Sequence, residues 1–136
     1  MTRYLVDTSV AVPFVMANHT AHRLVQRAIG GRNVWLAGHA GVETYSVLTR
    51  LPGDARLTPA DALELIEDRF EGVATARGGT ESIRRLVSAG IQGGATYDGL
   101  VALSVKANDV LFSRDLRASA TYSQLGITVE LIADRT

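Results

Sequence analysis

Four acidic residues stand where an apolar segment has just ended or a helix has just begun. Asp7 and Asp115 follow the short apolar segments Y-L-V and V-L-F-S, which are typical of buried strands. Glu43 and Asp98 lie in the first turns of two segments with helical periodicity, G-V-E-T-Y-S-V-L and A-T-Y-D-G-L-V-A-L. The spacing therefore predicts four carboxylates at the ends of successive elements.

Each of these acids, taken singly, has a simple structural explanation. Carboxylates favour helix starts because they cap free backbone N–H groups and interact well with the helix dipole. Taken together they suggest another chemistry, since clustered carboxylates repel unless a cation compensates them. Oxygen ligands suit Mg²⁺, and such an ion can activate water for attack on a phosphodiester. Residue types alone leave both explanations open.

The elements that must position these acids alternate between strands and helices. Five strands are predicted, at residues 3–6, 33–37, 73–76, 109–113 and 127–132. Short apolar strands separated by helices indicate an α/β fold with a mostly parallel sheet covered on both faces. The carboxyl ends of parallel strands share one edge, so Asp7 and Asp115 are expected to meet there. Asp109 stands at the start of its strand and is expected at the opposite edge.

The starts of the helices are predicted from proline and capping residues. Pro13 is best tolerated in a first turn, so the first helix is expected to begin at residues 10–12. The sequence Thr58-Pro59 is a strong start signal, with a hydroxyl cap followed by proline. The same preferences predict N-caps at Asn18 or Thr20, at Thr80 and at Thr96.

Bulk composition limits the class of protein without naming a partner. The 136 residues predict a single domain, 1–136, with 14 basic and 14 acidic residues and zero formal net charge. There is no cysteine, which excludes disulfides and thiolate metal sites. No apolar segment reaches transmembrane length, so a soluble cytoplasmic protein without a membrane partner is expected. The pair His19 and His22 lacks further ligands for zinc and is assigned capping or surface roles.

The motifs taken in order resemble a known family. L-V-D-T-S-V, E-T-Y-S-V-L-T-R-L-P, Y-D-G-L-V-A-L and L-F-S-R-D-L-R-A together are similar to the PIN domain, and more narrowly to the VapC toxins of bacterial toxin–antitoxin pairs. The resemblance runs from Leu5 to about Val129. It implies a three-layer α/β/α sandwich with a mostly parallel sheet of about five strands.

The resemblance also implies roles for particular residues. The acids would hold Mg²⁺ or Mn²⁺ and act in catalysis, together with a hydroxyl that orders the site: Asp7, Glu43, Asp98, Asp115 and Ser113. Residues expected to support the site or contact substrate are Thr8, Ser9, Arg114 and Arg117. Some relatives carry a further acid where Arg117 stands, which puts a second metal position in doubt.

The activity implied by this resemblance is metal-dependent endoribonuclease cleavage of a cellular RNA. A metal-activated water would attack the phosphodiester and leave 5′-phosphate and 3′-hydroxyl ends. The implied partners are an RNA substrate, a cognate VapB-like antitoxin whose C-terminal segment crosses the acidic cleft, and a second copy of the chain. The helices before the third strand are the expected dimer contact.

Two other functions compete with this one. A PIN-like module without catalysis would bind partners only, although four acids in place argue against it. A phosphoacceptor signalling domain needs an acid pair after the first strand and a lysine at a late strand tip. Asp7 stands alone, and the only lysine, Lys106, lies late in a helical segment.

Overall fold

A computed structural model describes residues 1–133, so residues 134–136 of the predicted domain 1–136 lie outside the described part. The elements in chain order are β1 (Tyr4–Val6), α1 (Thr8–Val15), α2 (His22–Ile29), β2 (Val34–Ala37), α3 (His39–Thr49), α4 (Pro59–Arg69), β3 (Val73–Ala74), α5 (Gly79–Ser88), α6 (Thr96–Leu103), β4 (Val110–Ser113), α7 (Leu116–Gln124) and β5 (Val129–Leu131). Short 3₁₀ turns at Gly53–Ala55 and Gly93–Ala95 precede α4 and α6.

The five strands form one sheet in the order β3-β2-β1-β4-β5, and each described pairing is parallel. Neighbouring side chains on a strand point to opposite faces. Leu5 accordingly packs with α6 and α7, whereas Val6 packs with α1, α2 and α4. This arrangement is the predicted three-layer α/β/α sandwich, and the fold class is confirmed.

The start of α1 differs from the prediction. The helix begins at Thr8, not at residues 10–12, and contains Pro13 in its interior. Proline removes one intrahelical hydrogen bond, the one its missing N–H would donate four residues back to Ser9. The carbonyl of Asp7 accepts the N–H of Ala11 over 2.8 Å, so the first turn closes before the proline is reached.

Of the predicted N-caps, only Thr58 is confirmed: its hydroxyl accepts the N–H of Asp61 over 3.1 Å. The predictions at Asn18 or Thr20, Thr80 and Thr96 are wrong, because α2, α5 and α6 are capped by Ala21, Gly78 and Ala95. Alanine and glycine have no side-chain acceptor, so these three helices begin without a side-chain cap.

The two histidines of the first connection have structural contacts. His19 Nδ1 accepts the N–H of Ala21 over 3.0 Å. His22 Nδ1 lies 2.7 Å from the carbonyl oxygen of Pro13 and ties α2 to α1. These contacts agree with the predicted capping role. Within residues 1–133, no helix is both long and apolar enough to span a membrane.

Candidate active site at the carboxyl edge of the sheet

The first and fourth strands end side by side. Val6 pairs with Phe112 in parallel register, and the N–H of Asp7 donates to the carbonyl of Phe112 over 3.3 Å. Asp7 therefore leaves β1 beside Ser113, the last residue of β4. The prediction that both strand tips lie at one edge of the sheet is confirmed.

Asp7 is a buried carboxylate held by hydroxyl groups. Its side chain is surrounded by protein, with only 4% of the residue exposed. Ser9 donates to Oδ1 over 2.5 Å, Ser113 donates to Oδ2 over 2.5 Å, and the Tyr122 hydroxyl donates to Oδ2 over 2.8 Å. Burial raises the pKa of Asp7; the three hydroxyls lower it, the charge of Asp115 raises it, and the net shift is upward.

Two serines connect Asp7 to the turn that follows β4. The Ser9 hydroxyl accepts the N–H of Arg114 over 2.8 Å, and the Ser113 hydroxyl accepts the N–H of Asp115 over 3.1 Å. Each serine thus accepts from the turn and donates to Asp7. These hydrogen bonds fix the backbone of Asp115 relative to the carboxylate of Asp7.

Asp115 has the capping role that was one of the two considered for it from sequence. It is the N-cap of α7, and its Oδ1 accepts the N–H groups of Arg117 over 3.0 Å and Ala118 over 3.2 Å. Its second oxygen, Oδ2, accepts no hydrogen bond from residues 1–133. The cap orients the side chain while leaving one oxygen for another ligand.

Glu43 and Asp98 reach the same edge on α3 and α6, whose approach depends on two glycines. Gly38 starts α3 with φ +37°, and a Cβ there would lie 2.9 Å from the carbonyl oxygen of Leu100. Gly99 directly follows Asp98, and a Cβ there would collide with α5. A larger residue at position 99 would therefore require the Leu86 side chain or α6 to shift.

Electrostatics links all four acids. Burial is the largest cause that raises the pKa of Asp98, followed by the charges of Asp115, Asp7 and Glu43, while His39 lowers it. Glu43 is more exposed, and its Oε2 lies 3.7 Å from Nε2 of His39. No three acidic or histidine side chains in residues 1–133 form a ready-made metal-ligand group. The structure therefore brings the four acids to one edge of the sheet, but their carboxylates do not converge on a common metal position.

The donor set fits a hydrated hard cation. All four acids offer carboxylate oxygen, and in residues 1–133 none lies within ion-pair distance of an arginine or lysine. His39 offsets the repulsion at Asp98 only in part, so the pKa of Asp98 stays raised. Mg²⁺ binds with few carboxylates and retains several waters, which suits acids that are near one another but not in contact.

The predicted substrate contacts surround this edge. Thr8 is the first residue of α1, and Arg117 is an exposed residue of α7. Arg114 is half-buried, and its Nε has no hydrogen-bond partner in residues 1–133. Ser9 lies in the site, with its hydroxyl directed to Asp7. The substrate-binding roles of these residues stay predictions.

Asp109 lies away from this edge, as predicted. It precedes β4, and its Oδ2 accepts a hydrogen bond from Nη2 of Arg3 over 2.7 Å and from the N–H of Lys106 over 2.8 Å. The acid belongs to the amino edge of the sheet and serves to fasten the N-terminal segment to β4.

Tyr122 was not predicted. It lies on α7, 115 residues from its partner Asp7, and its ring is 1% exposed. The one sequence signal is that a tyrosine on the buried face of a helix needs a partner for its hydroxyl. That signal says a partner exists without identifying it.

A family model for the PIN domain matches residues 4–123. The chain belongs to the PIN domain family. This PIN domain is 45% identical over 131 residues to ribonuclease VapC27 of Mycobacterium tuberculosis, covering 94% of this chain and 96% of the relative. It is 41% identical to ribonuclease VapC40 of the same species, covering 93% and 96%. The predicted resemblance to VapC-type PIN domains is confirmed.

Solved structures share the fold at low sequence identity. DNA-bound VapBC from Salmonella typhimurium aligns with TM-score 0.64 at 17% identity, covering 98% of this PIN domain and 100% of that chain. VapBC2 from Rickettsia felis, bound to a promoter DNA fragment, aligns with TM-score 0.63 at 14% identity, covering 96% and 98%. These alignments agree with the parallel sheet and its two helical layers.

Proposed function

We propose that this PIN domain is a VapC-type toxin, a Mg²⁺- or Mn²⁺-dependent endoribonuclease that a cognate antitoxin inhibits. The observation that carries the proposal is the carboxyl edge of the sheet, where the charges of Asp115, Asp7 and Glu43 act on Asp98. Within residues 1–133, no arginine or lysine forms an ion pair with any of these four acids. The relatives named ribonucleases support the reaction class. The whole chain, 1–136, is proposed to act as one domain in the cytoplasm.

Each residue has a defined task in this proposal. Asp7, Glu43, Asp98 and Asp115 hold the ion. A bound ion supplies stabilisation of negative charge on the phosphodiester and lowers the pKa of a water molecule. Ser113 holds Asp7 in place over 2.5 Å.

A carboxylate must be ionised to act as a metal ligand, so an ion at this edge would favour the charged form of Asp98, whose pKa burial and the neighbouring acids raise. Arginines supply the contacts to RNA that the acids cannot, since they can bind phosphate in a bidentate manner. Arg114 and Arg117 follow the end of β4 and are proposed to bind the RNA backbone, with Thr8 at the start of α1.

An active ribonuclease must be silenced in its own cell, which implies a protein inhibitor. Two fold neighbours are named VapBC, and both are complexes on DNA. A VapB-like antitoxin is proposed to place a segment across the carboxyl edge, where a basic side chain would neutralise the acids in place of the ion. The chain is also proposed to form a homodimer through helices that precede β3.

A growth experiment tests the activity against binding without catalysis. Expression of the wild-type chain alone is expected to slow growth, and Asp7→Ala is expected to remove the effect. Asp109→Asn is the matched control, because it alters a buried aspartate at the other edge of the sheet. Toxicity that survives in Asp7→Ala at equal soluble protein would indicate a module that acts by binding only.

A further inference from the structure

The hydrogen bonds to Asp7 are distributed unequally between its two oxygens. Oδ2 accepts from Ser113 over 2.5 Å and from Tyr122 over 2.8 Å. Among residues 1–133, Oδ1 accepts from Ser9 alone, over 2.5 Å. The three donors come from α1, β4 and α7, so they approach the carboxylate from different elements of the fold.

This distribution limits how Asp7 can bind an ion. A carboxylate oxygen has about two lone-pair positions for hydrogen bonds or metals. Both positions of Oδ2 are occupied by hydroxyl donors, whereas Oδ1 retains one. An ion can therefore bind Asp7 through Oδ1 without displacing any protein group, and it cannot bind both oxygens at once.

We propose that Tyr122 is a positioning residue that keeps Asp7 a one-oxygen ligand and so selects Mg²⁺ or Mn²⁺ over Ca²⁺. The inference rests on the proposed metal-dependent function. Ca²⁺ accepts carboxylates through both oxygens in flexible geometries, whereas Mg²⁺ requires near-octahedral geometry and takes few carboxylates. A second free oxygen at Asp7 would therefore favour Ca²⁺.

Packing alone does not account for the tyrosine. Its ring lies in the core cluster with Leu5 and Leu111, where phenylalanine would fill nearly the same space without burying a hydroxyl. Burial, followed by the charge of Asp7, raises the pKa of the phenol well above its usual range. The hydroxyl donates to Oδ2 of Asp7 over 2.8 Å.

Three single variants separate this role from a structural one. Tyr122→Phe and Ser113→Ala each free a position on Oδ2, whereas Ser9→Ala frees a position on Oδ1 and leaves Oδ2 filled. Binding of Mg²⁺ and of Ca²⁺ to each folded protein is measured by titration calorimetry without RNA. The melting temperature of each metal-free protein reports any purely structural damage.

The ratio of the Mg²⁺ to the Ca²⁺ dissociation constant decides the question. We expect Tyr122→Phe and Ser113→Ala to raise it by about tenfold, a difference of about 1.4 kcal/mol, and Ser9→Ala to leave it near the wild-type value. Equal ratios in all four proteins, with wild type still binding Mg²⁺, would overturn the role of Tyr122 alone. A wild-type protein that binds neither ion would overturn the proposed function as well. If Tyr122→Phe does not fold, the comparison of Ser113→Ala with Ser9→Ala decides whether a filled Oδ2 sets the ratio, and an unchanged ratio in Ser113→Ala would overturn the proposal.

Discussion

Each of the two edges of the sheet contains a buried aspartate, and the pKa values of these two aspartates are shifted in opposite directions. Asp7 is 4% exposed and Asp109 is 5% exposed. Asp109 accepts from the guanidinium of Arg3 and from the N–H of Lys106, which together outweigh burial and lower its pKa. Within residues 1–133, the side chain of Asp7 accepts only from neutral hydroxyls, and burial raises its pKa.

The difference shows which of the two buried carboxylates already has a counter-charge within the protein. A buried carboxylate is stable when an opposite charge and good hydrogen bonds accompany it. Asp109 has both, so it joins Arg3 to β4 and needs nothing further. Asp7 has hydrogen bonds without a counter-charge, and the neighbouring acids add repulsion. The carboxyl edge thus retains a negative field that an external cation can neutralise.

The largest expected effect is on RNA cleavage by variants of the two edges. Asp98→Asn keeps the shape of the side chain and removes one charge from the carboxyl edge, so cleavage should fall by at least about 100-fold. Asp109→Asn should retain near wild-type cleavage but lose about 1–3 kcal/mol of stability, because Arg3 loses its charged partner. Cleavage is measured with a labelled RNA at matched concentrations of folded protein.

This pair of variants can contradict the assignment of the edges directly. If Asp109→Asn loses cleavage to the same extent while remaining folded, the carboxyl edge is not the active site. If Asp98→Asn cleaves normally, Asp98 does not take part in holding the ion.

Sequence patterns predicted the positions of the acids because strand ends are local features. Asp7 directly follows a short apolar segment, and Asp115 follows another after one intervening residue. Parallel strands place such ends at one edge of the sheet. The same logic assigned Asp109 to the other edge, because it precedes its strand. Elements with a clear period and a clear end were therefore predicted well, including the Thr58 cap.

What the sequence could not supply were contacts between distant segments. Tyr122 meets Asp7 across 115 residues, and no spacing rule predicts that distance. The start of α1 was missed because the penalty for Pro13 was given more weight than the turn closed by the carbonyl of Asp7. In both cases tertiary contacts outweighed local preference.

The next largest effect is the stabilisation of the carboxyl edge by divalent ions. An ion that binds only the folded state stabilises it by about 2.7 kcal/mol at a hundredfold excess over its dissociation constant. Millimolar Mg²⁺ or Mn²⁺ should raise the melting temperature of wild type by several degrees. The increment should shrink in Asp98→Asn and persist in Asp109→Asn. Sodium at matched ionic strength controls for screening, and an equal shift with sodium would leave these acids as helix caps and surface charges.

The smallest effect is the dependence of stability on pH, which should have opposite signs at the two edges when no divalent ion is present. Asp7 and Asp98 have pKa values above the ordinary 3.8, so the folded protein retains protons that the unfolded chain has released. Their contribution makes stability fall as the pH rises from about 3.8 through the folded pKa values. Asp109 has a pKa below 3.8, so its contribution is complete above that value and is lost as the pH falls below it.

Melting temperatures measured across this range in a chelating buffer test both signs. Asp98→Asn should reduce the decline on the alkaline side by no more than a few degrees, because the residue is half-buried and solvent screens part of its charge. Asp109→Asn should reduce the loss on the acid side. Adding Mg²⁺ to wild type should abolish the alkaline decline and leave the acid loss unchanged, because only the carboxyl edge gains a counter-charge. If Mg²⁺ changed both sides equally, the ion would act on the whole surface of the protein and the contrast between the two edges would fail.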